Sequence, residues 1–353
     1  MQKTMTGLLR GTATMLTAAA IGLASAGNAL AQPADVLELK LALAVADTQF
    51  NTTTSSIFQL AEQFGFYEKH GVKVTIVPLE GTPQAVAALN AGAVDIADIS
   101  IDSALRLRAE NDLPIRGFVA VARGTPFLIA AKSEIATVED LAGRSYAIAD
   151  NGSLDHTLTQ AVLRSYGVEA TGPDFVAIGA PDVRIQALAA GRIDATTVSY
   201  GTFLSIDNPP GIHVLVDPDD FSSRAPALSK FVAALDSTIE TKNEALQRFT
   251  TALIDASRSM ATEPERWVAA ITEGRPDLSP ENIKLTSDLV QTRWCVNGCV
   301  NPAELSKAVD FTYEGPDFAD VKVISAQDIS DQSFATKAIE ELGAFEGETI
   351  DIR

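Results

Sequence analysis

Residues 88–100 read ALNAGAVDIADIS, and residues 187–199 read ALAAGRIDATTVS. Six of the thirteen aligned positions are identical, among them a glycine (Gly92, Gly191), an aspartate (Asp95, Asp194) and a final serine (Ser100, Ser199). Each copy begins as the end of an apolar helix, stops at the glycine, and resumes as a short apolar run. Glycine supplies the left-handed backbone that ends a helix, and aspartate favours the tight turn that follows. Both stretches therefore read as helix, turn and buried strand, with the serine at the strand's carboxyl edge.

The same grammar extends outward from both copies. Before the first, LELKLALAV (37–45) reads as a buried strand and 47–56 as a polar loop. IFQLAEQFGFYEKHG (57–71) reads as one helix, with Ile57, Leu60, Ala61 and Phe64 on one face and Gly71 ending it. VKVTIVPL (72–79) is a second strand. Gly81-Thr82-Pro83 then opens a helix, with Thr82 as its cap and Pro83 in the first position. A helix over 103–111 and a strand over 115–122 complete the unit. The pattern restarts with strands at 127–131 and 144–149, a polar loop DNGS (150–153), a helix over 154–167 and a strand at 174–178. Gly179-Ala180-Pro181 echoes Gly81-Thr82-Pro83. Helices alternating with strands imply parallel sheets with right-handed crossovers. Two units imply two sheets and two lobes; one large doubly wound sheet is the alternative. The last third is mainly helical, and its amphipathic 243–260 segment carries Leu246, Phe249, Leu253, Ile254 and Met260 on one side. It is expected to pack on the first lobe, giving a lobe 1 of 32–124 plus 224–353 and a lobe 2 of 125–223.

The first 31 residues stand apart. Lys3 and Arg10 precede an uncharged run, ATMLTAAAIGLASA (13–26), and Ala29-Leu30-Ala31 presents small residues for cleavage before Gln32. This is the pattern of a secretory signal peptide, and the run is short of the ~20 residues that span a bilayer. The 353-residue chain has 27 Lys+Arg against 46 Asp+Glu, a formal charge of −19, and loses two positive charges with the signal. Such a field disfavours nucleic acid and anionic membranes, so neither is expected as a partner. The only two cysteines, Cys295 and Cys299 in WCVNGCV, are expected to form a disulfide in an oxidising compartment, with Asn297-Gly298 as the turn between them. With no histidine beyond His213, no metal site and no cofactor are expected.

Ligands of open parallel sheets sit at the carboxyl ends of the strands. Here those ends are rich in Ser, Thr, Asn, Gln and Gly and poor in Lys and Arg, and several lead into helix N-termini that favour anions. The hydrolase elbow, zincin, phosphate-loop and dinucleotide-binding motifs do not occur. His156 beside Asp155 is the one pair that suggests acid–base work, and a solvated helix face explains it as well.

AEQFGFYEKHGVKVTIVPLEGTPQAVAALNAGAVDIADIS, GRSYAIADNGSLDHTLTQAVLRSYGV and VRIQALAAGRIDATTVS resemble the two lobe signatures of nitrate/sulfonate/taurine-type substrate-binding proteins of ABC importers, a family that includes binders of thiamine-pyrimidine precursors. The resemblance covers roughly residues 38–260. It implies a type II periplasmic binding protein fold: α/β, two lobes of mainly parallel sheet flanked by helices, two crossovers and a helical C-terminal segment. It also implies a ligand held by Gln49, Asn51, Gly81, Thr82 and Ser100 from lobe 1 and by Asn151, Gly152, Ser153 and Tyr200 from lobe 2. The implied protein is a monomeric periplasmic receptor that carries a small organic anion or heteroaromatic compound to an ABC permease, without catalysis. One branch of the family makes a pyrimidine with a Cys-rich iron motif, which this chain lacks. An exported α/β enzyme using His156 or Asp155, and a receptor that presents its ligand to a membrane sensor, are the alternatives.

Overall fold

Among the residues described by the computed structural model (36–44, 49–169, 172–206, 210–225 and 230–345), ten strands form two separate five-stranded sheets. The segment expected to be a signal peptide lies outside these residues. The first sheet contains β1 (Leu37–Ala44), β2 (Val72–Leu79), β3 (Ile96–Ser100), β4 (Ile115–Val119) and β10 (Lys230–Leu235), in the order β2-β1-β3-β10-β4. The second contains β5 (Phe127–Lys132), β6 (Ser145–Ile148), β7 (Asp174–Ala177), β8 (Ala195–Ser199) and β9 (Ile212–Val216), in the order β7-β6-β8-β5-β9. In each sheet one strand runs against its neighbours: β10 in the first and β5 in the second. Each is the first strand of its sheet after the chain has come across from the other.

Helices α1 (Ile57–Gln63), α2 (Phe66–Lys69), α3 (Thr82–Asn90) and α4 (Ile101–Asn111) connect the first sheet, and α5 (Leu154–Ser165), α6 (Pro181–Ala189), α7 (Tyr200–Leu204) and α8 (Pro218–Arg224) serve the second. The helix expected over 57–71 breaks at Gly65, whose left-handed backbone (φ 74°) separates α1 from α2. After β10 come α9 (Asp236–Thr241), α10 (Asn243–Thr262), α11 (Pro264–Gly274), α12 (Pro280–Val290), α13 (Pro302–Tyr313) and α14 (Ser333–Leu342). The apolar side of α10, including Leu246, Phe249, Leu253, Ile254 and Met260, is buried in the first core. Phe249 stacks on Tyr67 and meets the edge of Phe118, with ring centroids 6.0 and 6.2 Å apart.

The repeated phrase does the same work in both sheets. Gly92 and Gly191 are left-handed (φ 68° and 71°), and each is flanked by matching backbone bonds that close the helix: Gly92 N–H to the Leu89 carbonyl and Gly191 N–H to the Leu188 carbonyl. Asp95 Oδ2 then accepts from the Lys40 amide at 2.9 Å, and the Asp95 amide donates to the Lys40 carbonyl at 2.9 Å. Asp194 repeats this reciprocal pair with Ser145, at 3.0 Å in both directions. The second carboxylate oxygen of each aspartate takes a lysine, Lys242 at 2.8 Å and Lys132 at 2.7 Å. Each aspartate thus fastens the end of a helix to the strand beside the centre of its sheet, β1 or β6.

The first crossover, from Val119 to Phe127, is braced by the C-terminal third. The Ala120 amide donates to the Gly298 carbonyl at 2.8 Å, the Arg123 amide to the Arg293 carbonyl at 3.1 Å, and the Arg293 guanidinium to the Thr125 carbonyl at 3.1 Å. Cys295 and Cys299 are disulfide-bonded within this brace, and both are buried. No helix among the described residues is long and apolar enough to cross a membrane.

The hydrogen bond from Lys132, then those from Ser145, hold the Asp194 carboxyl below the usual carboxylate range. A depressed pKa stabilises the fold above the unfolded-state value near 4 and loses that contribution as pH falls through the folded value. Asp194→Asn is expected to cost about 1–3 kcal/mol of unfolding free energy at neutral pH. In urea titrations the gap to the parent should close below about pH 4; a gap that is the same at pH 3 and pH 7 contradicts this role.

Candidate functional site

The strand ends of the two sheets face each other, and helix N-termini carry the contacts. Gly81 is the cap residue of α3 and Thr82 its first helical residue, not its cap; the buried Thr82 hydroxyl makes no hydrogen bond among the described residues. Ser153 occupies the cap position of α5, yet its hydroxyl, also fully buried, bonds to no backbone amide. The two loops are pressed together across the seam. A Cβ on Gly81 would lie 2.9 Å from Ser153 Oγ and 3.3 Å from Asp150 Cβ. Gln84 Nε2 donates to Asp150 Oδ2 at 2.8 Å, Thr157 Oγ1 to Asp102 Oδ2 at 3.3 Å, and Asn282 Nδ2 to the Leu204 carbonyl at 3.1 Å. Gly201, on α7, packs so closely on Thr52 and Thr286 that a Cβ there would overlap the Thr52 side chain. These contacts all join the first half to the second.

Between the halves lies a cavity of about 100 Å³. The first half lines it with Asn51, Thr53, Thr54, Ser55, Ala122 and Lys230; the second with Phe127, Leu154, Asp155, Arg184, Ser199 and Thr202 as its main members. Asn51 Oδ1 accepts from the Thr53 amide at 2.8 Å and the Thr53 hydroxyl at 2.6 Å, which fixes the loop leading into α1. Ser199 Oγ caps α7 by accepting from the Thr202 amide at 3.1 Å. The charges are paired. Lys230 donates to the Ala44 carbonyl at 2.9 Å and reaches Asp98 at 3.4 Å; burial pushes the Asp98 carboxyl above its ordinary range, with Lys230 opposing. Arg184 is bonded to Asp155, and both are almost fully buried.

Of the residues nominated from sequence, Asn51 lines this cavity. Gly81, Thr82 and Ser153 form the seam beside it. Ser100 is buried and donates to Ser103 Oγ at 2.9 Å. Gln49 and Asn151 are exposed. Gly152 opens onto a neighbouring groove of about 840 Å³ that also contains His156 and Arg164. Tyr200 packs among Phe203, Leu204 and the other residues on one face of the second sheet. Asp155 and His156 face different partners: Asp155 binds Arg184, whereas the His156 ring meets the edge of Phe175 at 4.7 Å and is kept below the usual imidazole range by burial.

The strand-end loops nominated from sequence carry no Lys or Arg, and the cations at the cavity, Lys230 and Arg184, come instead from β10 and α6. Arg184 escaped because it lies within the first turn of α6, beyond the strand end itself; a helical side chain leans back toward the N-terminus and so reaches the cleft. A signal was present in sequence: Arg184 falls in the buried stripe with Ile185 and Leu188. Among the described residues no group of three or more His, Cys, Asp or Glu is placed to hold a metal.

Two α/β halves with a cavity between them define the periplasmic binding protein fold, and known structures share it. The nitrate-binding protein NrtA from Synechocystis PCC 6803 matches with a TM-score of 0.68 at 13% identity, over 87% of this chain and 89% of that one. The alkanesulfonate-binding protein SsuA from Xanthomonas axonopodis pv. citri, bound to MOPS, matches with a TM-score of 0.62 at 17% identity, over 86% and 98%. A Brucella abortus (strain 2308) chain bearing the name "Putative binding protein" is 25% identical over 256 residues, 68% of this chain and 78% of its own length. A family model described as NMT1/THI5 like matches residues 51–267, and the chain belongs to that family.

Gly201→Val inserts a side chain where the halves touch and should hold them apart while leaving each half folded. If it reduces the closed population to about a tenth, apparent ligand affinity falls about tenfold. Small-angle scattering should then give a larger radius of gyration than the parent with an unchanged far-ultraviolet dichroism spectrum. An identical radius contradicts the role assigned to this contact.

Proposed function

We propose that this chain is a solute receptor of an ABC importer, exported to the periplasm after cleavage before Gln32. It captures a small organic anion or heteroaromatic compound between its halves and delivers it to the membrane permease as a monomer, without chemical change. The observation that carries this reading is the cavity between the halves, lined at helix N-termini from both, in a molecule whose halves are also bridged by Gln84–Asp150 and Thr157–Asp102. Its two lobes are residues 32–124 with 224–353, and 125–223. Open lobes admit the solute; closure excludes water and strengthens each polar contact in the lowered dielectric. Membership of the NMT1/THI5-like family and the likeness to nitrate- and alkanesulfonate-binding proteins support it.

The chain's formal charge of −19 works against an anion at a distance. Capture then depends on local donors, and the cavity supplies them in Ser55, Thr202, Arg184 and Lys230.

Native mass spectrometry of the purified protein is expected to find a co-purified solute. Thermal unfolding against nitrate, sulfonates, carboxylates and pyrimidines should identify a compound that at 100 times its dissociation constant adds about 2.7 kcal/mol of stability. A preparation that carries no solute and whose melting temperature no compound moves contradicts the proposal, as does conversion of any compound into product.

A further inference from the structure

The sequence holds two Asn-Gly pairs, Asn151-Gly152 and Asn297-Gly298. In such a pair the glycine nitrogen can attack the asparagine side-chain amide, because glycine carries no side chain to shield it. The fold treats the two pairs in opposite ways. Asn297 Oδ1 accepts from the Arg258 guanidinium at 2.9 Å, and Asn297 Nδ2 donates to the Phe345 carbonyl at 3.5 Å. The Gly298 amide donates to the Cys295 carbonyl at 3.1 Å, and Gly298 is buried. A side chain so held and an amide so occupied are poorly placed to close a ring.

Asn151 and Gly152 are both exposed, and a Cβ on Gly152, whose φ is 75°, would meet nothing within 4 Å. The Asn151 side chain makes no hydrogen bond among the described residues. The Gly152 amide donates not to a carbonyl but to His156 Nδ1, at 3.1 Å. Accepting there places the ring proton on Nε2. The distance is that of a general base to the proton it removes. His156 is half-buried, with its ring against the edge of Phe175 at 4.7 Å and with Asp155, Asp317 and Asp150 as the charges around it. Burial outweighs those three carboxylates and keeps the imidazole below its usual range, hence neutral at neutral pH.

We propose that Asn151-Gly152 is a self-modification site, with His156 as the general base that closes the Gly152 nitrogen onto the Asn151 side chain. His156 Nδ1 takes the Gly152 amide proton as that nitrogen bonds to Asn151 Cγ. The Cγ–Nδ2 bond breaks, the imidazolium returns the proton to Nδ2, and ammonia leaves a succinimide. Water then opens the imide at either carbonyl, which gives aspartate or isoaspartate at position 151. Nothing is oxidised or reduced. The groove of about 840 Å³ beside Gly152 and His156 gives water its access. Either product sets a new carboxylate next to Asp150, the residue that accepts from Gln84 across the seam. The reaction needs no solute, so it stands apart from the receptor reading.

Purified protein incubated at neutral pH and sampled over time tests this by peptide mapping, with electron-transfer fragmentation separating isoaspartate from aspartate. Asn151 should convert while Asn297 stays intact in the same molecules. His156→Gln keeps a polar side chain and removes the base, and should slow conversion at Asn151 at least ~10-fold, since a positioned base typically supplies roughly 10²–10⁴. The pH profile separates a base from a prop. With His156 as base, the parent rate levels off above the imidazole pKa, which lies below the usual value of about 6.5. Solvent-driven conversion instead rises in proportion to hydroxide throughout. Conversion at Asn151 no faster than at Asn297 overturns the inference, as does a folded His156→Gln protein whose rate is within ~10-fold of the parent's. Where His156→Gln fails to fold, the parent's pH profile decides: a plateau supports the inference, and a rate proportional to hydroxide overturns it.

Discussion

In each half a single carboxylate ties the exit of a helix to the strand beside the centre of the sheet, β1 or β6. Asp95 does so with Lys40, and Asp194 with Ser145. The geometry is demanding because the aspartate both accepts from and donates to the same strand residue. That fixes the register of β3 on β1 and of β8 on β6, and with it the height at which Ser100 and Ser199 emerge. Where those serines emerge determines where α4 and α7 begin. The cleft edge is therefore set by two turns at the opposite end of the strands. Each turn needs a glycine that can adopt a left-handed backbone and an aspartate three residues later.

The halves so registered meet through small and polar groups. Gly81 and Gly201 allow backbone to approach side chains across the seam, and Gln84–Asp150 and Thr157–Asp102 are hydrogen bonds of modest individual strength. A seam of this kind can open at little cost. A large apolar interface would lock the halves shut. The charged pairs beneath it behave differently. Asp155–Arg184 and Asp98–Lys230 are desolvated, so removing one partner leaves an uncompensated buried charge. The cleft thus combines a yielding rim with a rigid, charged floor, which suits reversible capture on the proposed reading.

Most of the fold was legible because it follows from patterns that repeat. Periodicity located the strands, glycines marked the helix ends, and the echo between 88–100 and 187–199 required two units. The break at Gly65 was harder, since the apolar spacing of Ile57, Leu60, Ala61 and Phe64 continues up to it. The polar loops were legible as a class, and Asn51, Gly81, Thr82 and Ser153 do gather at the junction. Their individual duties were not legible. Capping rules assign Thr82 and Ser153 to backbone amides, whereas their hydroxyls face the seam unbonded. Arg184 and Lys230 were missed because they stand in regular elements: one in the buried stripe of α6, the other at the start of β10. Which lysine meets which aspartate depends on strands that are far apart in sequence, and no local pattern encodes that.

The account stands or falls on closure about a bound solute. Spin labels placed one on each half, measured by double electron–electron resonance with and without the solute identified by mass spectrometry, test it most directly. The account predicts a broad distance distribution without solute that shifts to a single shorter distance at saturation. One unchanged distance in both conditions, with the solute demonstrably bound, would contradict it.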